Sequence, residues 1–165
     1  MIEGDKFLDH YQGQTLAKLL ALQPSHRIDS LVLAMESALE LRRDNGEDLN
    51  AIENTVLAVE AFEREVNNGG YSQFFYNSSN EFAMDIVNCL KVIGCPELAE
   101  LTQKAISILG LKELTPEAIE ERMDPDDETL EDQLNALDDE FYDIEEVPAY
   151  QLFDYVKTHQ QSVRL

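Results

Sequence analysis

Residues 117–146 place two opposed demands on one stretch of chain. They hold 15 of the 34 acidic residues against one base, Arg122, for a local net charge of −14. Repulsion on that scale opposes compaction. Yet Ile119, Met123, Leu130, Leu134, Leu137 and Phe141 recur there at spacings of three, four and seven, the mark of helices with one buried stripe. A solvated acidic tail lacks such a stripe. The segment therefore predicts folded helices that carry a dense carboxylate surface.

The remainder of the chain reads the same way. Phe7, Leu8, Tyr11, Leu16, Leu19 and Leu20 predict a helix over about 4–22, bent or broken at Gly13. Ile28, Leu31, Val32, Met35 and Leu39 predict an amphipathic helix over 26–43. A third, over 48–67, is apolar most of the way round, so it belongs in a centre or an interface. Glu63 falls within its stripe, either as a partnered core carboxylate or as a site residue. Asn67-Asn68-Gly69-Gly70 ends that helix, and a short aromatic stretch, Ser72 to Asn77, follows. Asn80 caps a helix that runs to Ile93 and stops at Gly94, and Pro96 starts another that stops at Gly110. Thr115-Pro116 and Asp124-Pro125 each read as a cap plus a first helical residue, and Pro148 starts a last helix. No stretch alternates as a strand does. The expectation is all-α: a compact multi-helix single domain of about eight helices with an N-terminal helical extension. Its parts are N-terminal helices over 1–47, a helical domain over 48–158 and a tail over 159–165.

Charge narrows the function classes. With 34 acids against 12 bases the net charge is −22, which disfavours nucleic acid and anionic membranes as partners and favours basic proteins. No apolar run reaches the ~20 residues of a membrane span, and MIEGDKF lacks the basic and apolar regions of a signal peptide. The expected location is the cytoplasm, where Cys89 and Cys95 stay reduced and the sequon Asn77-Ser78-Ser79 has no meaning. His10, His26 and His159 fall in no Glu-x-x-His or His-Glu-x-x-His pattern. Residues 124–128 lack the glycine and glutamate of a calcium loop. Nucleophile-elbow and phosphate-loop patterns are missing too. No metal, no cofactor and no enzymatic activity are expected. Asn67, Asn68, Gln73 and Asn77, set among aromatic residues, form the one polar cluster suited to a small ligand, although amides also serve as caps and turns.

Helix energetics separates the acids. Asp124, Asp126, Asp127 and Glu128 open a helix, where each complements the dipole by ~0.3–1 kcal/mol. Asp138, Asp139, Glu140 and Asp143 crowd its other end, where the same dipole opposes them. With the Leu130–Phe141 stripe facing inward, Glu128, Asp132, Asp139 and Asp143 line the opposite side at gaps of about 6, 10.5 and 6 Å. A charge of −22 equals that of roughly 37 Å of duplex DNA. The acids are unevenly spread, with only 5 between residues 67 and 116, unlike a general solubility adaptation.

The run Asn67-Asn68-Gly69-Gly70-Tyr71-Ser72-Gln73-Phe74-Phe75-Tyr76-Asn77, followed by Ala83, Leu90, Ile93-Gly94 and Ala105, resembles the signature of the DNA-mimic protein C-terminal domain family over residues 48–158. Size, N-terminal helices and acidity are similar to those of that family's small acidic bacterial namesake. The resemblance implies an all-helical homodimer whose carboxylates imitate duplex phosphates. It also implies a helix-turn-helix transcription regulator as partner, kept off its operator. No catalytic role comes with it. The expected partner-binding acids are Glu117, Glu121, Glu128, Asp132, Asp139 and Asp143, with Asp29, Glu36 and Glu40 as a second row. The alternative is a small-ligand-binding or enzymatic helical domain built on residues 67–77, and a third reading is an unselective acidic chaperone for basic proteins.

Overall fold

The computed structural model describes residues 4–165. Among them run eight α-helices: α1 (Leu16–Ala21), α2 (Ile28–Asp44), α3 (Ala51–Tyr76), α4 (Ile86–Ile93), α5 (Pro96–Leu109), α6 (Pro116–Arg122), α7 (Glu128–Asp143) and α8 (Pro148–Thr158). Short 3-10 turns cover Ser78–Phe82 and Gln160–Ser162. The all-α expectation holds. Two compact units divide the chain: residues up to Glu60 together with Pro148–Leu165, and Ala61–Val147.

In the first unit α2 packs on α1 and α8. Its predicted stripe of Ile28, Leu31, Val32, Met35 and Leu39 is at most 2% exposed. The helix expected over 4–22 shrinks to α1. Upstream of it the backbone of Lys6 pairs with Ser25 and Arg27 (3.3 and 2.8 Å), and Leu8 N–H donates to Ser30 Oγ at 3.1 Å. Gly13, at φ +80°, lies between that paired stretch and α1, whose first turn is capped by Thr15. The early apolar residues thus serve an extended segment whose polar backbone is satisfied by neighbours instead of by a helix. Residues 159–165 are fastened to the first unit through Val163 and Arg164. Val163 is buried, and Arg164 N–H donates to Glu53 Oε1 at 2.9 Å. Glu53 also accepts from Arg42 Nη1 (2.8 Å) and from Asn50 N–H (3.0 Å). Burial raises the Glu53 carboxyl, but the Arg164 and Asn50 amides and the Arg42 guanidinium outweigh it and leave it below its ordinary value.

In the second unit α4 and α7 pack on α5, and α6 packs on the Ser78–Phe82 turn. The expected end of the third helix at Asn67–Gly70 is a break instead. Gly69 and Gly70 leave helical geometry, Gly70 at φ +74°, and the helix resumes through Tyr76. The resumed turn brings Tyr71, Phe74 and Phe75 inward at 0% exposure. There they join Phe62 and Phe141, with ring centroids 5.3–6.4 Å apart. Tyr71 Oη and Thr102 Oγ1 share a buried hydrogen bond of 3.0 Å. Two helix starts differ from expectation. Asn80 sits buried in a 3-10 turn with Nδ2 donating to Phe75 O, and α4 begins six residues later, at Ile86. Asp124-Pro125 forms a turn in which Asp124 accepts from Asp126 N–H at 3.0 Å, and Asp127 is the cap of α7.

Candidate functional site

The candidate surface is made by α6, α7 and the segments that flank them. The unit Ala61–Val147 holds 22 acids against 5 bases, a net −17 of the chain's −22. Inside residues 117–146 every acid is exposed except Asp127, Asp138 and Glu146. Those three share one task, because each accepts hydrogen bonds from backbone amides at a helix start. Asp127 Oδ1 takes Leu130 N–H (3.0 Å) at the head of α7, while its Oδ2 takes Arg122 (2.9 Å). Glu146 takes Glu97 and Leu98 N–H (3.0 and 2.9 Å) at the head of α5. Asp138 takes Tyr71 N–H (2.8 Å), where α3 resumes after its break. Such amides lack partners within their own helix, and a carboxylate there satisfies both the hydrogen bond and the dipole.

Asp138 is therefore explained by stability, contrary to the expectation that grouped it with Asp139, Glu140 and Asp143. Its own helix does disfavour it, but a second helix needs it. Burial raises its carboxyl above the ordinary range, Tyr71 N–H pulls it down, and Asp139 pushes it up again. Gly70 fits this contact, since a Cβ there would overlap the Asp138 carboxylate.

The acids nominated on this unit, Glu117, Glu121, Glu128, Asp132, Asp139 and Asp143, are all exposed. None forms a salt bridge with a described residue. Four of them lie along α7, opposite its buried Leu130, Leu134, Leu137 and Phe141. The last turn of α7 has no base to offset them. The nominated second row belongs to the first unit and is less uniform. Glu36 is 2% exposed, so it presents nothing to a partner and leaves the surface. It stands one residue from Met35 on the turn of α2 that faces the core. Asp29 is half-buried and paired with Arg27, and Glu40 is half-buried.

Two of the four amides in the Asn67–Asn77 cluster serve the fold. Gln73 Nε2 and Asn77 Nδ2 both donate to Glu65 Oε2 at 2.8 Å, fastening the two halves of α3 across the break. Asn67 and Asn68 are exposed. Among the described residues no group of three or more His, Cys, Asp and Glu is arranged to hold a metal ion. No helix among them is long and apolar enough to cross a membrane.

Neither the curated proteins nor the solved structures contain a match to this chain. A family model described as DMP19-like protein does match, over residues 47–159. That match corrects the resemblance drawn from residues 67–105: the DMP19-like family is distinct from the DNA-mimic protein C-terminal domain family, although DMP19 is likewise a DNA mimic. Matched over most of its length, with the Asn67–Asn77 run and the acidic helix both inside the matched region, the chain belongs to the DMP19-like protein family.

Proposed function

We infer that this chain acts as a DNA mimic in the cytoplasm. On this reading the exposed carboxylates of α6 and α7 occupy the DNA-binding face of a basic transcription regulator, of the helix-turn-helix kind, and compete with its operator. The observation that carries the reading is the partition of the acids. Within 117–146 the three that bond helix starts are half-buried and the other twelve stand exposed, in a unit of net charge −17. Asp139 and Asp143 persist in the last two turns of α7, toward the end where the dipole disfavours acids and no base offsets them. The family name, taken from a DNA mimic, points the same way. The chain has no catalytic part in this reading, and a homodimer would double the charge offered to the partner.

Displacement is measurable directly. A labelled operator bound by its regulator is titrated with this protein at low salt and followed by gel shift. Release of DNA supports mimicry, and rising sodium chloride weakens the release as ion pairs are screened. A regulator that keeps its operator at every concentration of this protein is not its partner. The same result across a panel of regulators captured from the native cytoplasm removes the reading.

A further inference from the structure

A cavity of about 350 Å³ opens beside the acidic helix, wholly within the unit Ala61–Val147. One wall is the resumed turn of α3, with Ser72, Tyr76 and Asn77. The other is the α6–α7 connection and the first turns of α7, with Met123, Leu130 and Leu134 as an apolar floor. Its size and mixed lining suit an inserted group more than a packing fault.

The lining selects by charge. It contains Asp124, Asp127 and Glu131 and no Lys or Arg. Asp127 is committed to Arg122 and to the α7 cap, and Asp124 accepts from Asp126 N–H. Glu131 is exposed, and its carboxylate has no hydrogen bond or ion pair with a described residue. The Gln73 and Asn77 amide nitrogens are turned to Glu65, which removes the two amide donors that would have suited an anion. The exposed Tyr76 ring stands on the rim. An apolar floor, an aromatic rim and an unneutralised carboxylate fit a cation on an apolar stem. Arginine meets all three, because its methylenes cover leucine surface while its planar guanidinium stacks on tyrosine and binds a carboxylate.

We propose that this cavity is the socket for one arginine side chain of the basic protein that the acidic surface meets. The proposal rests on the mimicry reading for the identity of the partner. It adds a fixed anchor to a charge field that alone has little geometric preference, and anchors of this kind carry a disproportionate share of interface energy.

The test uses the full chain and N-acetyl-arginine amide as probe, followed by amide chemical shifts at low salt. The expected result is saturable shifts confined to residues 72–77 and 123–134. Binding should be stronger than for the capped lysine amide and absent for the capped norleucine amide. Glu131→Gln should weaken it roughly three- to tenfold, whereas Glu145→Gln, an equal loss of charge outside the socket, should not. Shifts that are linear, or spread evenly over α7, overturn the proposal. So does equal binding to Ser72→Phe, which fills the cavity at unchanged net charge. In the operator-release titration Ser72→Phe should be several-fold weaker than wild type, and equal potency overturns the socket while leaving mimicry intact. Saturable arginine binding by a chain that releases no regulator leaves the socket standing and removes mimicry.

Discussion

Asp138 shows how a single carboxylate answers to two helices. It lies near the unfavourable end of α7, yet it holds the amide of Tyr71, 67 residues away in sequence. Because burial raises its carboxyl in the folded state, its contribution to stability is full below the unfolded value and lost as pH rises through the folded one. Asp138→Asn keeps the acceptor and removes the charge, so denaturant unfolding should show equal or greater stability at pH 7 and a flatter slope as pH rises past the ordinary aspartate range. Asp138→Ala leaves the Tyr71 amide without its partner and should cost about 1–2 kcal/mol. Gly70→Ala should cost more, roughly 2 kcal/mol or above, since it meets both a φ of +74° and the carboxylate. Cys95 gives an independent residue-scale check. Burial first, then Glu146 and Glu63, push its thiol up to about 12. Ellman's reagent should leave it unmodified in the folded protein at pH 8 and titrate it once the chain is unfolded.

Elements were legible in the sequence where burial repeats at a helical period, and illegible where one backbone group meets a distant one. The stripes of α2 and α7 follow from spacing alone, and every residue of the α7 stripe is buried. Gly94 and Gly110 stop α4 and α5 as read, both in the left-handed conformation. The extended stretch before α1 was hidden, because its partners Ser25, Arg27 and Ser30 follow a turn that spacing does not reveal. The resumption of α3 after Gly70 was hidden for the same reason, since it depends on Asp138. Glu36 was misplaced by a flank argument, which a helix contacted on several sides does not obey. For α7 the expected trade-off is direct. Asp139→Asn with Asp143→Asn should raise the melting temperature, since repulsion and dipole conflict both fall. The same pair should weaken operator release. A pair of changes that stabilises the fold and leaves release untouched would mark these acids as mere surface.

At the scale of the whole molecule, self-repulsion and partner attraction are two readouts of one charge. The unit of net −17 is strained by its own field, so its melting temperature should rise between low and moderate sodium chloride. Over the same range operator release should weaken. Opposite signs from a single titration separate a working acidic surface from a high-salt adaptation, for which function and stability rise together. A second whole-chain prediction concerns the first unit, where Glu53 is 3% exposed and gathers Arg42, Asn50 and the Arg164 amide. Glu53→Ala takes one carboxylate from Arg42, which keeps Glu47 and the Arg164 carbonyl, but it leaves the Asn50 and Arg164 amides without their acceptor and should cost about 2 kcal/mol in chemical denaturation.

The three helix-capping carboxylates also decide how this surface can be rewritten. Asp127, Asp138 and Glu146 are drawn from the same run of acids as the exposed ones, but they are fasteners, and their removal undoes joints between helices. A variant with every acid of 117–146 cut back to alanine would lose its joints along with its charge. One that spares those three could exchange the pattern of α6 and α7 for another and remain assembled. The scaffold is thus separable from its message, and a protein built this way can change the partner it addresses without changing how it folds.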